Sequence, residues 1–168
     1  MTETLGATIP DDVERAVHAV LKTACDRSLT LTAAESCTGG LLASLLTDVE
    51  GASHAFERGF VVYSKEAKCE LLHIAPERID RCGAVSREVA LAMAEGALAA
   101  SHADIALSIT GFAGPAGSDD EPGLVHLACA RHGRETRARE EHFGDIGRGP
   151  TRIAAIRTAL EMISEMLA

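Results

Sequence analysis

Two glycine-rich segments place reactive groups directly after β-prone runs. In the first, Ala34-Glu35-Ser36-Cys37-Thr38-Gly39-Gly40, a hydroxyl stands where a strand gives way to a helix. Such passages open at the carboxyl ends of sheet strands, in the crevice where α/β proteins hold ligands. The backbone N–H groups of Cys37, Thr38, Gly39 and Gly40 at a helix start suit an anion or a developing oxyanion. Ser36 is then a nucleophilic hydroxyl with electrophilic support one residue away. The same residues also read as a helix cap made by Ser36 or Thr38. The second segment, Thr110-Gly111-Phe112-Ala113-Gly114-Pro115-Ala116-Gly117, has three glycines and a proline, which let a backbone approach a ligand closely. It lacks the Gly-Lys-Ser/Thr ending of a Walker A loop and the GxGxxG spacing, and a plain flexible turn is its other reading.

These segments need elements to hold them. Pro10-Asp11-Asp12 reads as a helix entry, and Val13, Ala16, Val17, Val20, Leu21 and Ala24 follow the spacing of one helical face. Leu29–Ala34 predicts a first strand, Leu41–Thr47 a helix, Ala55–Tyr63 a strand and Lys65–Leu72 a helix. Ser86 is a candidate N-cap for a helix carrying Val89, Met93 and Ala97. Asp104–Thr110 reads as a buried strand. Leu124–Ala130 and Thr136–Phe143, parted by His132-Gly133, predict a hairpin. Pro150 is expected to start a last helix with Ile153, Ile156, Leu160, Ile163 and Leu167 on one face. Alternating strands and helices with a closing hairpin predict an α/β fold, a three-layer α/β/α sandwich on a mixed sheet. One domain over residues 1–168 is expected, with 1–10 loosely ordered.

Composition narrows the function classes. The chain has 168 residues, 25 acidic against 16 basic side chains and a net charge of −9, with 46% hydrophobic residues. That is ordinary globular composition, and the acidic balance argues against a nucleic-acid surface. No apolar run reaches the ~20 residues that span a bilayer. The first twelve residues carry neither a basic nor an apolar targeting region, so a cytoplasmic setting is expected. Five cysteines (Cys25, Cys37, Cys69, Cys82, Cys129) form no CxxC pair, so most are expected to be small core residues. The histidines make no HxxxH spacing. His126, His132 and His142 are the ones that could converge, yet no metal is predicted.

Beyond this residue-level reading, AESCTGG resembles the hallmark of the CinA carboxy-terminal domain family, whose stand-alone members are nicotinamide mononucleotide deamidases. Further segments match in the same order: Phe56–Ser64 with Glu66-Ala67-Lys68, Gly83–Ser86, Ser108–Pro115 and Phe143–Asp145. The resemblance runs from about residue 12 to residue 165. It implies hydrolysis of the carboxamide of nicotinamide mononucleotide to nicotinate mononucleotide and ammonia, in pyridine nucleotide salvage, with no metal and no cofactor. Carried over by motif, the nucleophile falls on Ser36 and its lysine base on Lys68, with the Cys37–Gly40 turn as oxyanion support. A lysine acts as a base only when its amine is neutral, which needs a lowered pKa. Lys65, three residues earlier, is expected to help lower it.

On the substrate side, Glu35, Tyr63, Thr110, Gly111 and Gly114 are expected around the ligand, with Glu35 read equally as a residue that positions the turn or is purely structural, and Arg58, Arg148 and Arg152 are candidates for its 5′-phosphate. The resemblance also implies a homo-oligomer. Three departures bear on the substrate: Lys65 stands where the family usually has asparagine, Glu121–Val125 differs in wording, and Ile146–Pro150 replaces an aspartate-arginine continuation. The rival reading is a catalytically weak nucleotide-binding or regulatory module of the same fold.

Overall fold

The computed structural model describes residues 9–115 and 117–168. The loosely ordered segment expected over 1–10 therefore lies, for residues 1–8, outside the described residues. The chain begins with α1 (Asp11–Asp26), whose Val13, Val17, Val20, Leu21 and Ala24 are buried and whose first turn is acidic. β1 (Leu31–Glu35), α2 (Leu41–Leu46) and β2 (Phe56–Val61) follow. Next come α3 (Lys65–Leu72), α4 (Pro76–Cys82) and α5 (Arg87–Ala99) in succession, then β3 (Ile105–Gly111). The chain closes with β4 (Leu124–Arg131), β5 (Arg137–His142) and α6 (Arg148–Leu167).

The strands lie in the order β2-β1-β3-β4-β5. β1 is parallel to both β2 and β3, while β4 and β5 run antiparallel to their neighbours, so the sheet is mixed. The chain leaves β1 toward β2 and leaves β3 toward β4, in opposite directions along the sheet. A crevice opens at the carboxyl ends of β1 and β3, the usual ligand position in such sheets.

Strand alternation divides the side chains between two helical layers. Leu31, Ala33, Ile105, Leu107, Ile109, Val125, Leu127 and Cys129 share one buried cluster with α1, α2 and α6. The other face presents Ala34, Ala106, Ala128 and Ala130 to α3, α4 and α5. Alanine on that face lets α5 lie close to the sheet, and the buried Ser108 hydroxyl donates to Ala90 O at 2.6 Å. Gly96 in α5 touches the end of α3: a Cβ there would sit 2.3 Å from Leu72 O. The three-layer α/β sandwich is present as the sequence implies.

Local differences have local causes. α4 was not foreseen, because Ile79 is its one buried side chain and gives no periodicity. α6 begins at Arg148 and not at Pro150, since a proline in the first helical turn removes an N–H that has no intrahelical partner. Ser86 does cap α5, accepting the Val89 N–H at 3.3 Å.

Candidate active site

Ser36 directly follows β1, and its N–H donates to Ile109 O of β3 at 3.0 Å. The hydroxyl therefore stands at the crevice mouth, 8% exposed. The chain then turns through Gly39 (φ +63) and Gly40 (φ +98), both in the left-handed region that glycine tolerates. The N–H of Leu41 donates to Thr38 O at 3.2 Å, and the other N–H groups at the start of α2 go to neither the Ser36 nor the Thr38 hydroxyl. They go to the buried Glu35 carboxylate, which accepts from Gly40 N at 3.2 Å, Leu42 N at 3.1 Å and Ala43 N at 2.8 Å. A carboxylate also suits the positive end of the helix dipole. Capping, left open between Ser36 and Thr38 by the sequence, is thus done by Glu35. Of the roles open to Glu35, its hydrogen bonds serve the positioning of the turn and not a ligand contact: the carboxylate is turned to α2 and it does not line the cavity.

The turn divides its own N–H groups. Gly39 N–H donates to Ser36 O at 3.1 Å, and Gly40 N–H is held by Glu35. Neither glycine remains a donor for an oxyanion, which corrects the four-residue expectation. Among the described residues, the N–H groups of Cys37 and Thr38 have no acceptor. Arg152 of α6 reaches behind the turn, its Nε donating to Cys37 O at 2.8 Å.

Lys68 enters from α3, which Ser64 caps by accepting the Ala67 N–H at 3.0 Å. The lysine is 1% exposed, and its Nζ lies 3.2 Å from Ser36 Oγ. Its other partners are carbonyl oxygens, Val62 O at 2.8 Å and Tyr63 O at 3.5 Å. All these partners are neutral, and no carboxylate pairs with the amine among the described residues. Burial accordingly lowers its pKa below the usual 10.5. In the neutral form the amine gives its hydrogens to the carbonyls and turns its lone pair to the serine, whose O–H then donates.

Lys65 has no part in this. Its ammonium pairs with Asp80 of α4, which raises its own pKa, so the expected depression of Lys68 by Lys65 is replaced by desolvation alone.

A cavity of about 300 Å³ opens in front of the pair. Ser36, Cys37, Tyr63, Lys68, Thr110 and Arg148 bring polar groups to its wall, and Gly111 and Gly114 complete the far side. Tyr63 stands at the rim, 69% exposed. Thr110 is fixed by donating to Ala84 O at 2.8 Å. Gly114 leaves room for an arginine, since a Cβ there would lie 2.6 Å from the Arg148 guanidinium.

The three arginine candidates separate cleanly. Arg148 faces the cavity and Arg152 holds the turn. Arg58 pairs with Glu57 and reaches Ala100 O, away from the cavity. Burial pushes the Cys37 thiol up to about 11, so it lines the wall as an un-ionised group.

Two of the three histidines meet around Glu140. His142 Nε2 lies 2.9 Å from it and the buried His126 Nδ1 3.6 Å, while His132 stands in the β4–β5 turn. All five cysteines are free, but only Cys37 and Cys129 are buried, fewer than the sequence suggested.

The profile of the CinA C-terminal domain matches residues 13–167. The CinA-like protein of Syntrophus aciditrophicus (strain SB) is 43% identical over 160 residues, covering 94% of this chain. The nicotinamide-nucleotide amidohydrolase PncC of Escherichia coli (strain K12) is 49% identical over 119 residues, 70% of this chain and 72% of that protein. Among solved structures, the competence/damage inducible protein CihA from Agrobacterium tumefaciens superposes with a TM-score of 0.93 at 41% identity. That match covers 97% of this chain and 100% of the other. The chain spans only 39% and 37% of the longer relatives from Acetivibrio thermocellus and Syntrophus aciditrophicus.

Proposed function

The chain belongs to the CinA C-terminal domain family, and on that premise we propose that it is an amidohydrolase converting nicotinamide mononucleotide to nicotinate mononucleotide and ammonia. The observation that carries this reading is the buried Lys68 amine, 3.2 Å from Ser36 Oγ and surrounded by neutral partners. A serine needs a base to take its proton, and a desolvated lysine supplies one.

In this reading Ser36 Oγ gives its proton to Lys68 Nζ and bonds to the carboxamide carbon. The carbonyl oxygen takes the negative charge, facing the N–H groups of Cys37 and Thr38. The tetrahedral species collapses, the C–N bond breaks, and Lys68 returns the proton to the departing nitrogen, which leaves as ammonia. Water, deprotonated by the same amine, then attacks the ester and restores Ser36. Arg148 is the cation on the cavity wall suited to the 5′-phosphate, and Tyr63 is an aromatic side chain at the rim suited to the pyridinium ring.

Ammonia release from nicotinamide mononucleotide, run beside the phosphate-free riboside and free nicotinamide, is the test. Release from the mononucleotide that Ser36→Ala abolishes is the expected result. Tight nucleotide binding with no ammonia from any pyridine amide would instead make the chain a regulatory module. The same reading carries over a cytoplasmic setting in pyridine nucleotide salvage and self-association, the latter checked by sedimentation velocity. Among the described residues no helix is long and apolar enough to cross a membrane.

A further inference from the structure

We propose that Arg152 is a positioning residue that aims and polarises the Thr38 N–H toward the oxyanion, acting through the Cys37–Thr38 peptide; this rests on the serine-nucleophile reading above. A trans peptide is a rigid plane in which the C=O of one residue and the N–H of the next point in opposite directions. Fixing the carbonyl therefore fixes the donor.

Two such planes matter here. The Ser36–Cys37 plane is held because Ser36 O accepts the Gly39 N–H at 3.1 Å, which sets the direction of the Cys37 N–H. The Cys37–Thr38 plane has no such local bond. Its carbonyl is held by Arg152 Nε at 2.8 Å, from a helix 115 residues further along the chain. The Cys37 and Thr38 N–H groups are the two in this turn that have no acceptor among the described residues. The carbonyl opposite one donor is thus pinned within the turn, and the other by a charged side chain. A guanidinium on the carbonyl also draws electron density from the peptide, which makes the far N–H a stronger donor.

α6 sets the division of labour. Arg148 and Arg152 are four residues apart and so share a helical face. The first reaches the cavity, and the second reaches the back of the turn.

The test uses the purified chain with Arg152→Met and Arg152→Lys. Two readouts are taken: steady-state kinetics on the mononucleotide, and acetylation of Ser36 by p-nitrophenyl acetate followed by intact mass, which does not depend on the natural substrate. Losing one oxyanion donor outright costs ~10²–10³ in kcat, so misaiming one should cost ~10- to 100-fold in kcat and in acetylation rate. KM and the pH midpoint of the reaction should stay where they are, and lysine should restore part of the rate. Should Arg152→Met lose its fold by circular dichroism, Arg152→Gln, whose shorter side chain keeps a donor but no charge, should show a smaller loss in both rates, and no loss in either would overturn the proposal.

Unchanged kcat and acetylation would overturn the proposal. So would a raised KM for the mononucleotide but not for its riboside, since the arginine would then be holding phosphate. A moved pH midpoint without rescue by lysine would reduce Arg152 to a general structural part. A wild-type chain acetylated at Ser36 but inert toward the nucleotide would sink the substrate reading alone, with the Arg152 effect still measured on the ester. A chain inert to both would remove the nucleophile, and this role with it.

Discussion

Lys68 Nζ lies 2.8 Å from Val62 O, and Val62 is itself tied to β1 by donating its N–H to Glu35 O at 2.8 Å. The amine is thus anchored to backbone of the segment that ends the parallel edge of the sheet. Backbone carbonyls cannot titrate, so they hold a neutral amine as well as a charged one. This arrangement underlies the first prediction.

Turnover should rise with pH through a single ionisation lying below 10.5, because burial lowers the Lys68 pKa and the neutral amine is the working form. The same shift governs stability. Between the folded and unfolded pKa values the unfolded chain binds more protons, so stability rises with pH across that window; below it the full cost of a buried ammonium remains. Lys68→Met should abolish turnover and flatten that rise. A pH–rate profile and urea melts at stepped pH measure both. A wild-type rate with no such rise anywhere in the pH range below 10.5 where the chain stays folded would refute the assignment.

Ser36→Ala should keep the fold and lose ~10⁴-fold or more in kcat, the scale seen when a serine nucleophile is removed from a site whose parts act as a unit. Circular dichroism and ammonia release make the comparison, and turnover retained within tenfold would take Ser36 out of the mechanism.

Arg148→Ala should raise KM for the mononucleotide ~10- to 100-fold, the value of one or two lost charged hydrogen bonds, while leaving the riboside unchanged. Gly114→Ala should act in the same direction more mildly, since its new methyl group would push the guanidinium aside. Equal effects on nucleotide and riboside would show that Arg148 does not hold phosphate.

Glu35→Ala should destabilise the fold by about 1–3 kcal/mol, because three backbone N–H groups at the start of α2 lose their acceptor. Its kcat should fall as well, with KM little altered, because the turn carrying Ser36 rests on that carboxylate. Glu35→Gln should recover part of both. Urea unfolding beside steady-state kinetics tests this, and an undiminished melting midpoint would count against the cap.

The elements were legible in the sequence where burial follows a period. Val13, Val17, Val20 and Leu21 announce α1, and the alternating branched residues of β3 announce a strand. α4 lacked that signal, although Pro76 at its start and Gly83 at its end are the punctuation that could have revealed it. The glycine turn after β1 also pointed to the crevice on physical grounds.

The couplings inside the site were not legible. Glu35 caps a helix that begins beyond a turn of unknown shape, Lys65 finds Asp80 fifteen residues on, and Arg152 finds Cys37 from 115 residues further along the chain. Lys68 offered no residue-level sign at all, since its burial depends on how α3 meets the sheet. Resemblance alone pointed to it.

α3 is only eight residues long, too short for an isolated helix to persist in water. Its seat is supplied from outside, where Gly96 admits the Leu72 carbonyl and the alanine-lined side of the sheet draws α5 inward. The reach of a reactive nitrogen is in this way decided by side chains of one carbon or none. A bulky replacement at Gly96 would act like a wedge under a lever arm, altering chemistry at the far end without touching a reacting atom.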